Sequence, residues 1–187
     1  VIAGISLYRP GPMDSIPDFI AGKQNPSKIR YDHELLKPIL DVTYGCIVYQ
    51  EQVMQIVRSL AGYTYGRADL VRRAMSKKKK SEMLKEKSTF IYGCEASGNN
   101  KAVDGCIKRG ISAEIAEKIF DGMEAFASYA FNKSHAAAYA VLSYETAFLK
   151  NYYPTEFLTA VINNRISSAD EVAKYIIYAR EHGIELL

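Results

Sequence analysis

Apolar residues recur at three- and four-residue intervals along almost all of this 187-residue chain, and only Tyr44-Gly45-Cys46-Ile47-Val48-Tyr49 reads as an extended run. Such spacing lines one stripe of a helix, whereas a half-buried strand needs strict alternation. The expected fold is all-α: a single helical domain over residues 1–187, with about seven to nine helices and little or no β-structure. At 48% hydrophobic the chain can bury a real core.

Local signals set the order of elements. Tyr8-Arg9-Pro10-Gly11-Pro12 must turn or extend, because each proline fixes φ. A short helix follows Asp14, then a loop around Asn25-Pro26-Ser27. Val53, Ile56, Val57 and Leu60 form a stripe that Gly62 ends. Leu70, Val71, Ala74 and Met75 are expected to be the buried stripe of the next helix, and Leu84, Ile91 and Cys94 that of a helix over about 81–95. After a break at Ser97-Gly98-Asn99-Asn100, Ser112 caps a helix with Ile115, Ile119 and Met123 inward. Ser134 is expected to cap the most buried helix of all, apolar nearly all round and stopped by Pro154. A helix over about 155–163 follows. Ser168-Ala169-Asp170-Glu171 then reads as the capping box of a last helix, closed by Gly183.

Several function classes drop out. Cys46, Cys94 and Cys106 form no CxxC pair, and His33, His135 and His182 are scattered, so no zinc constellation is readable. A reduced, cytoplasmic setting is expected. The most apolar segment, His135–Leu149, is shorter than the roughly 20 residues a membrane helix needs. The start, Val-Ile-Ala-Gly, carries no signal pattern and suggests a piece of a longer protein. No Walker loop, nucleotide-binding glycine fingerprint, catalytic triad or clustered carboxylate pair occurs.

What remains is concentrated positive charge. Between Arg67 and Lys87 nine Lys/Arg face three acidic residues, a local +6 in a chain whose total is +3, so everything else sums to −3. A focused positive field attracts polyanions. Within it, Arg72 and Arg73 offer forked donors that suit phosphate oxygens. Lys77, Lys78, Lys79 and Lys80 are candidates for DNA-backbone contacts, or a solvated helix face. A second segment, Ser128-Tyr129-Ala130-Phe131-Asn132-Lys133-Ser134-His135, gathers aromatic, amide, ammonium, hydroxyl and imidazole groups at a helix start, where backbone N–H groups favour anions. The plainer alternative is that Ser134 only caps and His135 only packs.

These two segments, with Leu7-Tyr8-Arg9-Pro10-Gly11-Pro12-Met13 and Tyr44-Gly45-Cys46-Ile47-Val48-Tyr49-Gln50-Glu51-Gln52-Val53-Met54, closely resemble the C-family of bacterial replicative DNA polymerases, the polymerase III alpha subunits. The run from Ala61-Gly62-Tyr63 to Arg72-Arg73-Ala74-Met75, Phe131 to Ala140, and Tyr153-Pro154-Thr155-Glu156-Phe157 match in order and spacing. Ser76 stands where the family commonly has glycine.

The resemblance implies the fingers domain of a DNA-directed DNA polymerase, a nucleotidyltransferase acting in DNA replication. Residues 1–13 would form the junction with a preceding palm, and 165–187 an exit helix toward a helix-hairpin-helix DNA-binding module. Arg72, Arg73 and Lys133 would grip the incoming dNTP triphosphate. Asn132, Ser134 and His135 would line the same pocket, and Arg9 would approach from the junction. Expected partners are dNTP, primer–template DNA, the palm, the sliding clamp and other replisome subunits. Two Mg²⁺ ions would sit on palm aspartates, so the segment itself would bind no cofactor, hold no catalytic residue and be inactive alone. The competing reading is a stand-alone helical nucleic-acid-binding module without nucleotide specificity.

Overall fold

The computed structural model describes residues 1–9, 12–76, 80–98, 101–127 and 129–185. Among them the fold is all-α, with ten helices: α1 (Ile2–Leu7), α2 (Ile16–Gln24), α3 (Lys37–Leu40), α4 (Gln50–Ala61), α5 (Tyr65–Ser76), α6 (Lys80–Tyr92), α7 (Ala113–Ala127), α8 (Lys133–Tyr152), α9 (Pro154–Asn164) and α10 (Ala169–Glu181). The count passes nine because short turns such as the four-residue α3 also close. No strand forms among these residues; two isolated bridges pair Tyr49 with Phe131 and Cys94 with Val103. The extended run at 44–49 contributes only the first of these. No described helix is long and apolar enough to cross a membrane.

The chain divides into two compact units, Val1–Ala137 and Ala138–Leu187, with the division inside α8. In the first unit α4 to α7 pack around the main core. Val53, Ile56, Val57, Leu60 and Ala61 bury one face of α4. Gly62 ends that helix at φ +80°, donating its N–H to the Arg58 carbonyl at 3.1 Å. In α7 the Ser112 hydroxyl accepts the Ile115 N–H at 3.3 Å, the expected cap. Ala116, Ile119, Phe120 and Met123 then face inward, and the Phe120 ring meets Phe90 of α6 at 5.5 Å between centroids.

Two expected stripes each lose a leucine. In α5 the buried residues are Ala68, Val71, Ala74 and Met75, while Leu70 is 57% exposed. Ala68, Val71 and Met75 follow the i, i+3, i+7 rule, which turns Leu70 about 100° away from Val71. In α6 Met83, Phe90 and Ile91 are buried and Leu84 is exposed. Leu84 and Ile91, seven residues apart, share one line of the helix, so only the Ile91 end of that line is covered.

The second unit corrects a larger expectation. Leu158 of α9 and Ala179 of α10 are buried, but along α8 Val141, Leu142, Tyr144, Phe148, Leu149 and Tyr152 are all exposed. The helix expected at the centre has apolar faces left uncovered among the described residues. Phe148 instead gathers aromatic neighbours, with Tyr152 at 4.7 Å and Tyr153 at 6.3 Å. The expected capping box of α10 does not form through side chains: Ser168 makes no side-chain cap bond, and Glu171 pairs with Lys174 at 2.6 Å instead. Gly183, at φ +67°, follows that helix as expected.

Candidate functional site

Two segments far apart in sequence close on the first turn of α4. Gln50 opens that helix, and its backbone N–H donates to the Phe131 carbonyl at 3.0 Å while the Phe131 N–H donates to Val48 O at 3.3 Å. The Gln50 side chain adds a second tie, Nε2 donating to the Ala130 carbonyl at 3.0 Å. Its Oε1 accepts from Nη1 of Arg72 at 3.1 Å. One residue on, the Glu51 carboxylate accepts the Lys133 backbone N–H and the Asn132 Nδ2, each at 3.2 Å. Both the basic helix and the start of α8 are therefore anchored to one turn.

That turn is held from beneath by Gln52, a buried amide. Its Oε1 accepts the Val48 and Tyr49 N–H groups at 2.8 and 2.9 Å. Its Nε2 donates to Thr43 Oγ1 at 2.7 Å and to the Ile39 carbonyl at 3.2 Å. Every position of the amide is used, which fixes the turn without leaving a buried polar group unpaired.

On α5 the spacing of Asp69 three and four residues before the arginines puts its carboxylate against both. Oδ1 accepts from Arg72 Nε at 2.8 Å, and Oδ2 pairs with Arg73 Nε at 2.8 Å. The hydrogen bond from Arg72, aided by both positive charges, holds the Asp69 carboxyl below the usual carboxylate range. The Arg72 side chain is 25% exposed and that of Arg73 63%, so Arg73 is the more accessible.

Phe131 gathers the remaining groups. The Arg9 guanidinium lies over its ring at 4.8 Å, and the His135 ring meets its edge at 5.3 Å. The Lys133 ammonium stands over the Tyr49 ring at 5.4 Å. Three cations (Arg9, Arg72 and Lys133) and two carboxylates (Asp69 and Glu51) surround this corner, leaving it net positive, whereas Arg73, tied to Asp69, lines a separate groove with Arg67, Glu82 and Lys85. The cap of α8 is Asn132, whose Oδ1 accepts the His135 N–H at 2.8 Å. Ser134 lies one residue inside the helix and is exposed. Asn132 wins because it sits three residues before that N–H, within reach of a cap.

The structure brings Arg9, Arg72, Asn132, Lys133 and His135 together through Phe131 and the first turn of α4. Lys77, Lys78 and Lys79, expected to meet DNA, lie outside the described residues, as does Ser128; Lys80 is the first residue of α6. Gln50, Glu51 and Asp69 were not expected to take part. Only Asp69 carried a readable signal, its helical spacing to the arginines. The resemblance places its two Mg²⁺ ions on palm aspartates, not on the residues of this corner. Among the described residues no group of three or more His, Cys, Asp or Glu could hold a metal ion, and the two carboxylates at this corner are already engaged.

An all-α scaffold with a cationic, aromatic corner built on one helix turn defines the class of domain. Residues 1–98 match the family model of the bacterial DNA polymerase III alpha subunit finger domain. The chain belongs to that family. Over its whole length it is 48% identical to the DNA polymerase III subunit alpha of Neisseria meningitidis serogroup A, of which it covers 15%. It is 47% identical to that of Thermus aquaticus, again covering 15%, and 46% identical to that of Escherichia coli K12, covering 16%. The chain therefore spans only about a sixth of the length of these relatives.

Proposed function

We propose that this segment serves a DNA-directed DNA polymerase by binding the triphosphate of the incoming dNTP opposite the templating base. Arg72, Arg73 and Lys133 contact phosphate oxygens. Asn132, Ser134 and His135 line the same pocket, and Arg9 steadies its Phe131 wall. The observation that carries this reading is the convergence of α5 and the 130–135 segment on Gln50. Residues distant in sequence, each carrying positive charge, need such a junction to reach one multiply anionic ligand. Asp69 keeps Arg72 and Arg73 ordered while no ligand is bound, and Glu51 holds the backbone at Lys133.

Phosphoryl transfer depends chiefly on positioning and electrostatic support, and cations fixed in advance supply both. The chemistry itself belongs to Mg²⁺ and to carboxylates outside this segment, so the segment alone has no polymerase activity. In the parent enzyme residues 1–13 adjoin the palm, and 165–187 lead toward the helix-hairpin-helix module. Primer–template DNA, the sliding clamp and other replisome subunits are the partners, in the cytoplasm.

The test is Arg73→Ala in a full-length polymerase III alpha subunit carrying this segment. Loss of a charge-assisted bond to phosphate costs about 1.5–3 kcal/mol. That is roughly a 10- to 150-fold drop in kcat/KM for nucleotide at unchanged DNA affinity. An unchanged kcat/KM removes Arg73 from the site.

A further inference from the structure

We infer that Gln50 is a positioning residue for nucleotide binding: its single amide sets where the Arg72 guanidinium stands relative to the Phe131–His135 corner. The inference rests on the triphosphate reading above and goes beyond it, because Gln50 itself need not touch the nucleotide.

The amide works from both ends. Oε1 takes a hydrogen bond from Arg72 Nη1 at 3.1 Å, and Nε2 gives one to the Ala130 carbonyl at 3.0 Å. The backbone N–H of the same residue is bound to the Phe131 carbonyl at 3.0 Å, so the side chain has little freedom to follow Arg72 if α5 moves. Arg72 is 22 residues from Gln50 and Ala130 is 80, so neither contact is enforced by local helix geometry. Asp69, which also pairs with Arg72, lies on the same helix and cannot fix that helix against the 130–131 segment. Gln50 can. It is only half-buried, so it contributes little to the core.

The residue type matters. A carboxylate there could accept from Arg72 but could not donate to Ala130. An apolar chain of similar volume could do neither. An amide does both and adds no charge that would repel a phosphate.

The experiment uses the full-length polymerase with Gln50→Met, Gln50→Glu, Arg72→Ala and the double variant Gln50→Met/Arg72→Ala. Nucleotide KM, kcat and primer–template affinity are measured for each. Gln50→Met is expected to raise nucleotide KM about tenfold with DNA affinity unchanged, the scale of one hydrogen bond to a charged group. Gln50→Glu, which stays polar and soluble, is expected to raise it as well because the Ala130 tie is lost. In the Arg72→Ala background, Gln50→Met is expected to add nothing further, the mark of a residue acting through its partner. Equal losses in both backgrounds, or an unchanged KM in both Gln50 variants while Arg72→Ala raises it, overturn the role of Gln50 alone. An unchanged KM in Arg72→Ala overturns the triphosphate reading at Arg72 and this inference with it.

Discussion

The Glu51 carboxylate receives the backbone N–H of Lys133 on both of its oxygens, at 3.2 Å each. A negative group therefore already stands at the start of the 20-residue α8, where unpaired N–H groups and the helix dipole favour it. The position that the sequence offers to a phosphate at this helix end is partly filled by the protein's own side chain.

Replacing Glu51 with Gln keeps its shape and removes its charge. The 187-residue chain should lose about 1 kcal/mol of unfolding free energy in low salt. The loss should shrink as NaCl is raised, because exposed charges are screened. Urea unfolding of both proteins at two salt concentrations measures it; a difference independent of salt would contradict the dipole account.

Gln52→Leu should be far more damaging. The substitution leaves the Val48 and Tyr49 N–H groups and the Ile39 carbonyl without the partners they now have. Stranding buried polar groups costs about 1–3 kcal/mol apiece, so a total of at least about 3 kcal/mol is expected in urea titrations. A loss below 1 kcal/mol would mean that water replaces the amide.

Two glycines should respond in opposite directions to alanine. Gly105 has φ +79°, and a Cβ there would lie 2.2 Å from the Gly93 nitrogen, a backbone atom that cannot swing aside. Gly105→Ala should cost about 3 kcal/mol or more. Gly122 sits within α7 with nothing within 4 Å of an added Cβ. Gly122→Ala should stabilise by up to about 1 kcal/mol, since alanine is the better helix former. Thermal melts of the two variants, compared with the parent chain, read both signs.

Burial pushes the Cys46 thiol up to about 11 and that of Cys106 to about 12. At pH 8 only about one Cys46 in a thousand is then a thiolate, against roughly a quarter in an unfolded chain. Iodoacetamide should label Cys46 slowly in the native protein, and the rate should rise about tenfold per pH unit until near pH 11. The folded state keeps a proton that the unfolded chain loses. These thiols therefore support folding fully below about pH 8.5, and that support disappears as pH rises through the folded values. Native labelling at pH 8 as fast as in urea would refute the shift.

Most helices were legible because their signals are local. Gly62 ends α4 and Ser112 caps α7, each through atoms only a few residues away. The same nearness made Asp69 readable beside Arg72 and Arg73. The family, too, was legible, since ordered motifs such as the one around Gln50 and the one from Phe131 to Ala140 lie in the chain itself.

Burial and partnership were decided elsewhere. Leu70 and Leu84 carry the right hydrophobicity for a core, yet both are exposed, because a helix position is covered only where another element packs against it. The apolar faces of α8 showed that cover would be favourable, not which segment would supply it. The ties of Gln50 to Arg72 and of Glu51 to Lys133 join residues 22 and 82 apart. Spacing along a chain fixes which side chains share a helix face. Only packing brings one helix turn against another, and hydrogen bonds, acting over about 3 Å, exist only once it has done so.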